Sequence, residues 1–138
     1  MQTILIEWQH LDVTGATCRR CGDTGGELAR AIERLQAECA PRGVNIAFRE
    51  TRLNADQIAH SNTILINGVP LETILPQTQI STSCCDSCGD LTGRPEQCRT
   101  LVHFGQEYET IPQDLIRQAW KYVISSEWWP RSMACRYR

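Results

Sequence analysis

Apolar and polar positions follow two rhythms along this chain. Residues 3–9 pass through Ile4, Leu5, Ile6 and Trp8 with little polar interruption, the mixed and fairly buried character of a first strand. Leu28, Ala31, Ile32, Leu35 and Cys39 then recur at helical spacing, with Glu27, Arg30, Glu33, Arg34 and Glu38 on the other face, which predicts an amphipathic helix. Thr24-Gly25-Gly26-Glu27 has the hydroxyl and carboxylate spacing of a capping box and places the helix start there. Pro41 and Gly43 stop it. Cys39 lies on the apolar stripe and reads as a small core residue.

The rhythm then changes. Val44, Ile46 and Phe48 alternate with Asn45, Ala47 and Arg49, which is strand periodicity. Asn54-Ala55-Asp56-Gln57 caps a short helical turn ending near His60. In the run from Thr63 to Leu71, Asn67-Gly68 between apolar residues is a hairpin signal. Residues 76–99 hold Ser, Thr, Gly, Asp and Cys but few large apolar groups, so an inserted loop or knuckle is expected there. Regularity returns with Thr100-Leu101-Val102-His103-Phe104, a turn at Gly105-Gln106, and Glu107 to Ile111. Pro112 suits a first helical position, and Leu115, Ile116, Ala119, Trp120, Val123 and Ile124 give a terminal helix its core face. The tail 125–138 carries Trp128, Trp129, Cys135 and Tyr137, and Trp128-Trp129-Pro130 suits packing or partner docking.

Length and charge narrow the class. A chain of 138 residues with no internal repeat and no linker reads as one domain, 1–138. A net charge of −2 supplies no basic field for nucleic acid or anionic lipid. No apolar run approaches the roughly 18 residues of a membrane span. The N-terminus lacks a basic start followed by a long apolar stretch, so no signal peptide is expected and the cytoplasm is the default compartment. No phosphate-binding loop, dinucleotide glycine pattern or serine-nucleophile elbow is present, and no organic cofactor is expected.

The candidate chemistry is that of sulfur. Eight cysteines stand at 18, 21, 39, 84, 85, 88, 98 and 135. In a reducing compartment clustered thiols bind metal or do redox work, whereas in a secreted chain they would form a disulfide framework. Cys18-Arg19-Arg20-Cys21 follows a strand and precedes a helix, the setting of a redox or soft-metal Cys-x-x-Cys. As a redox pair Cys18 attacks and Cys21 resolves, which requires both at an accessible mouth. A free thiol with pKa about 8.5 is only about 3% ionised at pH 7. Arg19, Arg20 and the helix N-terminus would favour the Cys18 anion.

As a metal half-site the same turn brings two sulfurs to one tetrahedral ion at about 2.3 Å. Cys85-Asp86-Ser87-Cys88-Gly89 looks like a second half-site, a zinc knuckle. A metal set can be drawn from Cys84, Cys85, Cys88 and Cys98, with Cys135 as an alternative member, or from Cys18, Cys21, Cys85 and Cys88. Neighbouring Cys84 and Cys85 diverge, which leaves a spare thiol suited to ligand exchange or to a thiol relay. His10, His60 and His103 each stand alone and read as surface or core-satisfied histidines. Glu7 and Asp23 could accept a proton from the resolving thiol, but read first as a solvated charge and a turn residue.

The element order resembles the thioredoxin-like fold, in which a Cys-x-x-Cys follows the first strand and opens the first helix. More closely, Ile6 to Asp12, Cys18 to Thr24, Ser61 to Gly68 and Cys84 to Gly89 resemble a small prokaryotic family known as a domain of unknown function. The resemblance implies an α/β three-layer fold, with a central mixed sheet of about four to five strands flanked by helices. It covers residues 3–75 and 100–124, with 76–99 as a Cys-rich insertion. Thioredoxins carry a cis-proline that docks peptide substrates and keeps metals off the thiols; here the segment is Ser61-Asn62-Thr63. Thr17 replaces the tryptophan that commonly precedes the first cysteine.

Three functions follow. The first is thiol–disulfide exchange or soft-metal capture by Cys18 and Cys21. The second is a non-enzymatic carrier or sensor of Zn, Cu, Hg or As built on Cys84, Cys85, Cys88 and Cys98. The third is a zinc-stabilised interaction module. The expected partner is a thiol or disulfide reductant, or a metal-donor protein.

Overall fold

A computed structural model describes residues 2–124. The tail readings on Trp128, Trp129, Cys135 and Tyr137 lie outside the described residues. Strand β1 (Gln2–Leu11) is followed by helix α1 (Arg19–Cys39), strand β2 (Val44–Leu53), a 3-10 turn (Ala55–His60), and the hairpin of β3 (Thr63–Ile66) and β4 (Val69–Pro70). Short helix α2 (Leu71–Ile74) leads to β5 (Thr78–Cys84), α3 (Asp86–Thr92), β6 (Gln97–His103), β7 (Gln106–Tyr108) and α4 (Gln113–Ile124).

The strands form two sheets. The first is four-stranded in the order β2-β1-β3-β4, with β1 parallel to β2 and antiparallel to β3. The second, β5-β6-β7, is antiparallel throughout. On β1 the alternate residues Ile4, Ile6, Trp8 and His10 are buried, and their partners Ile46, Ile64 and Ile66 share that face. The long helices lie side by side on it. Glu27 and Glu38 of α1 bond Gln113 and Arg117 of α4, and Trp8 touches α1. The other face of β1 carries half-buried Leu5, Glu7 and Gln9, with Glu7 paired to Arg49 at 2.8 Å. Both long helices therefore share one side of the first sheet, which departs from the expected helix–sheet–helix sandwich.

Most of the periodicity reading holds. Leu28, Ala31, Leu35 and Cys39 are buried on α1, Ile32 is half-buried, and Cys39 is disulfide-bonded. All six apolar residues expected on the core face of α4 are buried, Trp120 completely. Asn54 and Gln57 make their capping box. Asn67 and Gly68 take left-handed backbone at the β3–β4 turn, and the Asn67 Oδ1 accepts from the Leu5 amide at 2.9 Å.

Three expectations need correction. Residues 76–99 are not a loop: β5 and β6 pair from Thr78↔His103 to Cys84↔Gln97, with α3 between them. β5 is mostly exposed and paired chiefly through its backbone, so its Ser, Thr and Gln carry no apolar rhythm. The turn after β6 falls at Phe104-Gly105, one residue earlier than expected. Helix α1 starts at Arg19, not after Thr24. Thr24 is buried within it, and its hydroxyl accepts the Ile111 amide at 3.1 Å instead of capping.

Gly25 is tolerated inside α1 because nothing larger fits. A Cβ there would lie 2.5 Å from the Trp8 ring. In an ordinary helix Gly→Ala gains about 1 kcal/mol. Here the sign should reverse, because the ring is stacked on His10 at 4.0 Å and has little room to yield. Gly25→Ala should lose about 1–3 kcal/mol, read as a lower urea midpoint. A midpoint at or above wild type would show that the ring moves aside.

Candidate metal centre

Two Cys-x-x-Cys segments meet at the seam between the sheets. Each places its first cysteine at a helix N-cap: Cys18 precedes α1 and Cys85 precedes α3, with Cys21 and Cys88 in the first turns. Cys98 comes from β6, where it pairs with Ser83 of β5. The Sγ atoms of Cys18, Cys85 and Cys88 all lie within 4.8 Å of one another. Cys98 interacts with Cys88 and Cys85, and Cys21 with Cys18. Cys84, last residue of β5, is exposed instead, with its sulfur 3.3 Å from the Gln97 amide nitrogen.

The structure thus brings together parts of both candidate sets. Cys18 joins Cys85 and Cys88, as in the set that spans the two halves of the chain, and Cys98 stands beside them as in the other. Cys84 turns away because successive residues at a strand end point to opposite sides. Cys135 lies outside the described residues. The expected accessible mouth is overturned: Cys18 and Cys21 are each 1% exposed. What covers them is α3, with the Ser87 hydroxyl accepting the Arg19 amide at 2.7 Å.

The arginines act differently from the expectation too. Arg19 is exposed. Arg20 is buried, and its guanidinium donates to the carbonyls of Ser83, Cys84 and Cys98 and to Glu109. One end of the β5–β6 ladder, where Ser83 pairs with Cys98, is thereby fastened to the start of α1. The Cys18 thiolate is favoured chiefly by other sulfurs: the Cys21 and Cys88 thiols donate to it and hold its pKa far below the ordinary thiol range. Cys21 and Cys88 are driven up, first because each keeps its proton to donate a hydrogen bond to Cys18. Burial pushes Cys85 to about 11. Cys98 is lowered, first by the Cys88 thiol.

The lesser candidates are accounted for elsewhere. His10 is buried, stacked on Trp8, and bonded to Glu50 at 2.8 Å and to the Leu11 carbonyl at 2.9 Å. His103 bonds the Thr78 hydroxyl at 2.7 Å, and His60 is exposed. Among the described residues no histidine joins the sulfur group. Glu7 accepts from Arg49 and Thr51, which lowers its pKa, and Asp23 is exposed; neither serves Cys21. The Cys21 sulfur instead interacts with the Leu11 backbone and the Thr17 hydroxyl. Sequence reasoning missed Ser87, Thr17 and the latch made by Arg20. The only signal was their place inside or beside the two Cys-x-x-Cys segments.

Residues 4–120 match the family described as "Domain of unknown function (DUF2703)". The chain is also similar to an uncharacterized protein of the archaeon Archaeoglobus fulgidus, 36% identical over 117 residues that make up 82% of each chain. No solved structure matches. The matched span takes in every cysteine of the seam.

Removing the latch should loosen the seam. Arg20→Met leaves the Cys98 carbonyl unsatisfied and should cost about 2–3 kcal/mol. Alkylation of Cys85 and Cys98 in the native protein should speed up as well. Arg19→Met, at an exposed side chain, should change stability by no more than about 0.5 kcal/mol. Equal effects from both substitutions would refute the latch.

Proposed function

We propose that this chain, which belongs to the family of the domain of unknown function DUF2703, binds a thiophilic metal ion through Cys18, Cys85 and Cys88, with Cys98 as the nearby fourth sulfur. The observation that carries the reading is three buried sulfurs within 4.8 Å of one another, contributed by segments 64 or more residues apart. Four sulfurs at about 2.3 Å from one ion lie about 3.8 Å from each other in a tetrahedron. The donor set is all thiol, which suits Zn, Cu(I) or Hg(II) over oxygen-seeking ions. Such an ion would supply the positive charge that a buried cluster of thiolates lacks.

Several features support a thioredoxin-like scaffold beneath this site. The order β2-β1-β3-β4, with one parallel and two antiparallel pairings, sits beside a Cys-x-x-Cys at the start of α1. Ser61-Asn62-Thr63 leaves the thiols without the proline that would discourage a metal. A second reading, thiol–disulfide exchange by Cys18 and Cys21, draws on the hydrogen bond from the Cys21 thiol to the Cys18 thiolate. Burial of both sulfurs weighs against it, because a disulfide substrate must reach the attacking sulfur. A metal-donor protein or a thiol reductant in the cytoplasm is the partner these readings call for. No described helix is long and apolar enough to cross a membrane.

Anaerobically purified protein should take up one equivalent of Zn(II) or Cd(II). Cys18→Ser or Cys88→Ser should weaken binding by more than the about 10–100-fold that loss of an outer hydrogen-bond partner costs. Failure of the wild type to bind either ion, together with turnover of a small disulfide that Cys18→Ser abolishes, would replace this reading with the second.

Proton release gives a separate check. Cys85 and Cys88 hold their protons at neutral pH, whereas Cys18 favours the thiolate. Loading should therefore release at least the two protons of Cys85 and Cys88 but fewer than four, because Cys18 has already lost its own. Apparent affinity should rise as pH increases toward the Cys85 value of about 11 and fall on acidification. Release is measured with an indicator dye in weak buffer.

A further inference from the structure

We infer that Cys84 is a receiving ligand for the soft metal ion, a surface thiol that captures it and passes it to Cys85 and the buried sulfurs. This rests on the metal-binding reading above and adds a route to it. The centre has no exposed sulfur of its own: Cys18 and Cys88 are at most 1% exposed, Cys98 3% and Cys85 4%. An ion that must shed its waters or carrier ligands cannot do so against sealed thiols. Among the described free cysteines Cys84 alone is exposed.

The surroundings favour this role. Cys84 and Cys85 line one open cleft, with Arg19, Arg20, Asp86, Ser87, Asp90 and Glu109 around them. Three carboxylates face two guanidiniums there, and one of the latter, Arg20, is already paired with Glu109 at 3.2 Å. The balance suits a cation. The neighbouring residue of the cleft, Cys85, already belongs to the buried triad. The backbone between the two sulfurs is held as well, since the Cys84 carbonyl accepts from Arg20 and the Cys85 amide bonds the Glu96 carbonyl at 3.0 Å. Gln97 donates its amide N–H to the Cys84 sulfur and steadies it at the rim.

The transfer is an exchange of ligands with no change of oxidation state. The ion first binds the Cys84 thiolate. The Cys85 thiol then gives up its proton as its sulfur bonds the ion. The bond to Cys84 breaks, and the departing sulfur takes a proton back from solvent. Bonds from Cys18 and Cys88 follow, and the protons of Cys85 and Cys88 pass to solvent. A sulfur that serves only as a step along this path speeds loading and unloading by the same factor.

The test is stopped-flow loading with Cd(II), followed by thiolate-to-cadmium absorption, and unloading into a chelator. Cys84→Ser should slow both directions by at least about tenfold, within the range over which association rates vary among mutants of one site. Alkylation of Cys84 in the folded wild-type protein, before metal is added, should slow loading at least as much. Cys84→Ser that loads and unloads at wild-type rates would overturn the inference while leaving the centre intact. Loss of stoichiometric Cd(II) from Cys84→Ser would also overturn it, by making Cys84 a member of the final set. Wild-type protein that takes up no Cd(II) would instead remove the reading on which the inference rests.

Discussion

One buried cation ties the second sheet to helix α1, packed on the first. The Arg20 guanidinium reaches the carbonyls of Ser83 and Cys84 at the end of β5 and of Cys98 near the start of β6. A single side chain at the start of α1 thus reaches both strands at that end of the second sheet, alongside the apolar core the two sheets share. Hydrogen bonds from a charged group are about twice as strong as neutral ones, so this fastening is a strong one for its size. With it in place α3 covers α1, and the sulfurs of both helix starts are pressed into contact.

That contact creates an electrostatic problem. Thiols packed in one dry space cannot all ionise, because each new anion faces those already present. The cluster resolves this by sharing: Cys18 becomes the anion, and Cys21 and Cys88 hold their protons and donate to it. Such an arrangement is stable, but it leaves several strong ligands protonated. A divalent ion would change the balance, since its charge would offset thiolates that could not otherwise coexist. The same burial that would impede disulfide exchange would make a captured ion slow to leave.

Much of the fold could be read from the chain, and the exceptions share a cause. The stripe on α1, the six-residue face of α4 and the Asn67-Gly68 turn depend on local spacing, which a sequence displays directly. β5 was missed because its partner is the backbone of β6 and its side chains mostly face outward. The start of α1 was misplaced because Thr24 resembles a cap until the amide of Ile111 is beside it. Gly25 resembles a breaker until Trp8 is seen to occupy the space. The site divides the same way. That Cys18 and the Cys85/Cys88 pair could meet followed from cysteine arithmetic, while which of Cys84 and Cys85 faces inward depended on a strand end that carried no apolar signal.

The Arg20 and Ser87 contacts join residues 63 to 89 positions apart in the chain. Contacts of that range form only after the intervening segments are in place, and they carry the entropic cost of closing a long loop. Closing the seam therefore costs more chain entropy than closing the β5–β6 ladder, whose strands are near neighbours in the sequence. An ion held by sulfurs from both sides would act there as a reversible cross-link, tying the two halves into one cooperative unit.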